Sequence, residues 1–198
     1  MKQMKKLGVL AFAFLLCGVN VMAKGKSPVS VTSGSLDFIK KGGTAAVVFD
    51  YSGLQVNGLP LDDFLASQDE KFNNDWESVI VPDVELLFRN MCSMFLNRGS
   101  FIVSPGDVVS TDDYKIVLRL TSLDLGSASG VYNPFAVSMK AGGAVISGSL
   151  EGIDNRSGET LCVVDFDKLQ GAKGVSDKDR WSSAYRYLIN LLNVNLKK

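Results

Sequence analysis

The sequence predicts an α+β domain, with two main helices packed on one face of a mixed or largely antiparallel sheet of about five strands. The element order is β-α-β-β-β-β-α. Three strand-like runs, at 114–124, 144–153 and 159–166, follow one another with no helical stretch between them. Helical apolar stripes occupy 83–97 and the stretch from Ser176 to Leu196. Helices that flank a consecutive run of strands, rather than alternating with them, belong to a layered α+β arrangement.

Residues 1–23 read as an export signal. Three lysines lie within the first six residues, an apolar run over 7–19 is too short to span a bilayer, and Val21-Met22-Ala23 fits the small-residue cleavage rule. Cleavage after Ala23 leaves Lys24 as the new amino terminus. Cys17 is a candidate lipid-anchor site, disfavoured because Leu15-Leu16 stands where a lipoprotein peptidase needs a small residue. Residues 24–43 are polar at their start and read as a flexible leader or loosely attached strand, so the single domain is expected over 44–198.

The first strand is 44–51 (TAAVVFDY). Ala45, Val47, Phe49 and Tyr51 share one face while Ala46 and Val48 share the other, predicting a central strand covered on both faces. Leu59 to Leu65 suggests a short helix with Pro60 near its first turn and Asp62-Asp63 beside its positive end. In 83–97, Val84, Leu87, Phe88, Met91, Met94 and Phe95 recur at helical spacing, and Gly99 follows the last turn. Residues 100–103 form a short strand closed by Pro105-Gly106.

In 114–124, Ile116, Leu118 and Leu120 alternate with Lys115, Arg119 and Thr121, the pattern of a half-exposed strand. Asp154-Asn155-Arg156-Ser157-Gly158 then joins the last two strands as a hairpin turn. Ser176 with Asp179 caps the terminal helix, whose stripe is Trp181, Tyr185, Leu188, Leu192 and Leu196.

Composition removes function classes. Twenty-one basic residues balance 21 acidic ones, and removing the lysine-rich signal leaves the rest slightly acidic, so nothing attracts nucleic acid. The chain contains no histidine. That removes the commonest general base and zinc ligand, and with them every Ser-His-Asp or Cys-His arrangement. No apolar stretch after the signal reaches the roughly 20 residues of a spanning helix. No cofactor or metal motif is present.

The candidate sites are few. Cys92, beside Phe88 and Phe95, and Cys162, on a strand face with Val164 and Phe166, both read as core-facing. They form either a disulfide or two buried thiols. The acidic pairs Asp62-Asp63, Asp69-Glu70, Asp112-Asp113 and Asp165/Asp167 lack the calcium-loop pattern and read as solvated or helix-start residues. Asn155-Arg156-Ser157 matches a glycosylation sequon but sits in the predicted turn. In the loop 126–141, Val131, Tyr132, Pro134 and Phe135 are candidate partner contacts, against the plainer reading of a loop packing its own aromatics.

The run AAVVFDYSG, a helix ending before SFIVS, the strand DDYKIVLRLTSL and the hairpin SGSLEGIDNRSGETLCVVDF resemble the envelope domain shared by TolB amino-terminal regions and curli-secretion-type lipoproteins. The resemblance spans about Thr44 to Leu196. The chain departs from it by lacking a lipobox and by an insertion over 54–82. The resemblance implies an assembly or binding module rather than an enzyme. The expected function is therefore an exported, non-enzymatic cell-envelope protein, in the periplasm or at the outer surface, that binds a protein or other envelope component through a loop or sheet edge. The alternatives are a periplasmic carrier of a hydrophobic ligand and a histidine-free hydrolase.

Overall fold

The computed structural model describes residues 27–107, 109, 111–126 and 142–196. Within them the strands are β1 (Val29–Gly34), β2 (Gly43–Asp50), β3 (Gln55–Val56), β4 (Leu59–Pro60), β5 (Phe101–Ser104), β6 (Tyr114–Asp124), β7 (Val145–Asp154) and β8 (Thr160–Gln170). The helices are α1 (Asp37–Lys41), α2 (Leu61–Ala66), α3 (Glu70–Asp75), α4 (Val81–Leu96) and α5 (Asp177–Leu196), with a π-helical turn at Trp76–Ile80. The α+β class and the two main helices agree with the sequence reading, whereas the strand count was too low.

The sheet is mixed, in the order β1-β8-β7-β6-β2-β5. β2 lies parallel to both β5 and β6, and β6, β7, β8 and β1 run antiparallel in succession. β3 pairs with the far end of β6, and β4 pairs with β3. The alternation in β6 sends Ile116, Leu118 and Leu120 into the core, all with negligible exposure. Each such side chain contributes about 1.5–3 kcal/mol by leaving water. Arg119 faces the other way, where it pairs with Asp50 at 2.8 Å and Glu151 at 3.6 Å.

The apolar faces of α4 and α5 lie together on the core face of the sheet. Phe88 of α4 meets Tyr185 of α5 with ring centroids 4.8 Å apart, and Phe49 of β2 at 5.8 Å. The stripe predicted for α5 is buried throughout, from Trp181 to Leu196. Ser176 and Asp179 form the predicted capping box: Ser176 Oγ accepts from the Asp179 amide at 3.1 Å, and the Asp179 carboxylate accepts from the Ser176 amide at 3.3 Å.

Two readings are refined. Of the two readings of 24–43, flexible leader or loosely attached strand, the described part takes the form of a strand, because β1 joins the sheet against β8, and it adds a helix, α1, that buries Phe38 and Ile39. Phe38 fits there because Gly152 has no Cβ, which would stand 2.6 Å from the ring. The second concerns β2, which is central, between β6 and β5, as its residues predict, but is less fully covered on its second face than on its first. On that second face Ala46 is buried by its neighbours, and Val48 is half-buried.

The insertion over 54–82 also belongs to the body. It buries Leu54, Val56, Phe64 and Trp76. α3, the π-turn and α4 follow one another directly, so the helical run begins well before Asp83. Pro82, in the first turn of α4, has no amide to donate back along such a run, and the π-turn lies immediately before it, where the bonding pattern must change.

Candidate functional site

β1 is the end strand of the sheet, and its sequence VSVTSG is short, uncharged and free of proline. Its inner edge pairs antiparallel with β8, Val29 opposite Phe166, Val31 opposite Val164 and Gly34 opposite Cys162. The register shifts between Val31 and Ser33, a bulge that is the strand's one edge-blunting device. Gly34 has φ +62°, and a Cβ there would stand 1.9 Å from the Leu161 carbonyl oxygen, so only glycine lets β1 close on β8. The outer edge of β1 has no strand partner among the described residues.

A groove flanks this edge on each side of the sheet. On the helical side a groove of about 290 Å³ has apolar walls from Val29, Val31, Leu36 and Leu196, with Asp37 and Lys40 at hand. Those two charges satisfy each other, at 2.9 Å. The opposite groove, of about 360 Å³, is lined by Ser30, Thr32, Asp165 and Asp167. Asp167 accepts from Ser147 Oγ at 3.1 Å. Neither of its carboxylates joins a salt bridge among the described residues.

A second polar cluster lies at the carboxyl ends of the parallel strands β2 and β5, the end at which sheets with parallel crossovers commonly hold ligands. Arg89 of α4 contacts Asp107 at 3.0 Å and Glu85 at 3.8 Å, and its guanidinium stands 5.2 Å from the Phe49 ring centre. Burial pushes the Glu85 carboxyl above the ordinary carboxylate range, against the pull of the Tyr51 hydroxyl and Arg89. Burial likewise raises the Tyr51 and Tyr185 phenols. Tyr51 Oη, Tyr185 Oη and Trp181 Nε1 are buried without a well-formed hydrogen bond. Perturbed groups of this kind mark sites or structural networks. Here Arg89 holds both carboxylates, the half-buried Glu85 and the exposed Asp107, and aromatic rings fill the space behind Glu85, so the cluster is a polar seam open to solvent at Asp107.

The inner face of α4, where a carrier's cavity would lie, is occupied by Phe88 against Phe49 and Tyr185. A groove of about 460 Å³ instead lies at the surface between α4 and α5, where Asp83 and Lys178 pair at 2.8 Å.

Val131, Tyr132, Pro134 and Phe135 lie outside the described residues, as do residues 1–23 with Cys17. Cys92 and Cys162 are both buried and free. The bridge weighed from sequence does not form, and strand order explains why. α4 packs over β2 and β5, whereas β8 is three strand spacings from β2, roughly 14 Å, well beyond the ~7 Å a disulfide tolerates between α-carbons.

The acidic pairs separate by role. Asp69 caps α3 by accepting from the Phe72 amide at 2.7 Å. Asp112 accepts from the Val109 amide at 2.8 Å, and Asp113 from the Thr44 amide at 3.0 Å. Asp62 and Asp63 sit in the first turn of α2. Asp165 and Asp167 face the groove beside β1, and Asp62 also lines a groove, of about 490 Å³, with Tyr51, Leu54 and Leu61. Asn155 donates to the Asp112 carbonyl at 2.8 Å within the hairpin turn. No group of three or more metal-ligating side chains stands among the described residues, and none of their helices is long and apolar enough to cross a membrane.

Sequence reasoning missed the β1 edge and the seam. The period-two V-S-V-T pattern and the Glu85–Arg89 spacing of four were the available signals.

No protein-family description matches this chain, and no curated protein matches it. Among solved structures, the PelC dodecamer from Paraburkholderia phytofirmans is similar at a TM-score of 0.43 and 13% identity, over 81% of this chain and 96% of that chain. A variant of the same PelC gives 0.42 and 14%, over 82% and 97%. A neuraminyllactose-binding hemagglutinin homolog from Helicobacter pylori gives 0.35 and 11%, over 79% and 84%. These are distant likenesses, below the level at which function transfers to this chain, and they do not show the TolB or curli-secretion resemblance.

Proposed function

We propose that this chain is an exported, non-enzymatic binding or assembly module of a bacterial cell envelope, and that it docks its partner along the outer edge of β1. The observation that carries the reading is the outer edge of β1, which has no strand partner among the described residues and has a groove on each side of the sheet. A strand edge supplies main-chain hydrogen bonds to an added strand, and flanking grooves select its alternate side chains. The export-type amino terminus supplies the compartment, and the absence of histidine removes the commonest routes to hydrolysis.

Photo-cross-linking in intact cells tests this. A photoreactive side chain at Val31, on the edge, should give a discrete adduct, whereas one at Tyr187, on the outer surface of α5, should give none. Adducts from Tyr187 and none from Val31 would refute the edge as the docking site.

A further inference from the structure

We infer that the β1 edge takes an extended peptide segment whose side chains alternate between apolar and basic. The inference rests on the reading of β1 as the docking edge and adds the chemistry of what docks. Successive residues of a strand point to opposite faces of its sheet. A strand added outside β1 therefore sends one set of side chains toward the groove walled by Val31, Leu36 and Leu196, and the other set toward Asp165 and Asp167. The first groove has apolar walls with Ser30 and Ser35 between them, and the two charges that line it among the described residues, Asp37 and Lys40, neutralise each other. The second presents two carboxylates that join no salt bridge among the described residues, Lys168 next to Asp167 included.

Small side chains make the acidic groove reachable. Ser30 stands opposite Asp165 in the β1–β8 register. An added strand would lie two strand spacings from β8, roughly 10 Å. A lysine or arginine lying across Ser30 or Thr32 covers that distance together with the aspartate's own reach. Asp165 and Asp167 are two residues apart on one strand, so they project from the same face about 6.6 Å apart. Two basic residues at i and i+2 match that spacing. An acidic segment would instead meet uncompensated like charge, which opposes binding.

The experiment uses the exported protein and two synthetic octapeptides, one alternating valine with lysine and one alternating valine with glutamate. Backbone amide shifts locate binding, and a titration gives Kd. The inference predicts that the lysine peptide perturbs β1 amides and binds at least roughly tenfold more tightly than the glutamate peptide. Added salt should weaken it. The double variant Asp165→Asn/Asp167→Asn should lose about tenfold for the lysine peptide while its thermal unfolding is unchanged, because both side chains are exposed. Equal binding of both peptides at β1, or indifference to the double variant, would overturn the charge assignment and leave the docking edge standing. Shifts confined to another surface would overturn the inference, and the Val31 cross-link reads the docking edge separately.

Discussion

The indole of Trp76 lies stacked on that of Trp181, with ring centroids 5.5 Å apart and planes 24° from parallel. One ring comes from the insertion over 54–82 and the other from the first turns of α5, and both are buried. The contact extends through Phe64 and Phe72 on one side and Tyr51 and Tyr185 on the other. The insertion is therefore fastened to the core by aromatic packing.

Trp76→Ala should destabilise the whole domain by about 3–5 kcal/mol, the range for a large aromatic removed from a core. Denaturant unfolding should show one cooperative transition at lower midpoint with an undiminished slope. A change confined to the insertion, with the global midpoint unmoved, would show that the segment folds apart from the body.

Glu85→Gln should alter the pH dependence of stability. A carboxyl whose value is higher in the fold than in the unfolded chain holds its proton more tightly when folded, so its contribution declines as pH rises through that interval. Glutamine keeps a polar group beside Tyr51 without the charge, and Arg89 retains Asp107 at 3.0 Å. The variant should thus gain in melting temperature relative to wild type near pH 8 and gain less near pH 4, where both glutamate states are largely protonated. Asp50, Asp154 and Asp179 act in the opposite sense. Hydrogen bonds from Ser52, Ser157 and Ser176 lower them, so their stabilisation is lost on acidification in both proteins and cancels in the difference. A difference that stays flat with pH would contradict the reading of Glu85 as a half-buried carboxyl.

Neither cysteine should react with a thiol reagent in the folded protein. Burial pushes both thiols up, Cys162 to about 11, so little thiolate exists at neutral pH, and neither sulfur is accessible. Both should label on unfolding without reductant. Failure to label under those conditions would reveal a bridge.

What could be read from the sequence follows from how local each signal is. The α5 stripe, the Ser176–Asp179 cap and the Asp154–Gly158 turn are encoded within a few residues of one another, and each is present. The turn is held by the Arg156 and Ser157 amides, both donating to Asp154 Oδ1 at 2.9 Å. β1 was legible only as a loosely attached strand, because the V-S-V-T alternation is short with two valines alone, and its order comes from pairing with β8, more than a hundred residues away in sequence. The same holds for the cysteines, whose separation depends on strand order. Trp76 finds its burial only when α5 closes over it, a contact that no periodicity announces.

Amide hydrogen exchange along β1 tests the central claim most directly. Exchange of the Val29–Gly34 amides would be followed in the exported protein, alone and with a solubilised envelope extract. The outer edge of a sheet exchanges readily when unpaired and slowly once a strand is added. The account predicts that the fast-exchanging β1 amides slow by about tenfold or more with the extract, while the exposed surface of α4 and α5 is unchanged. Protection on α4 and α5 with no change in β1 would contradict it.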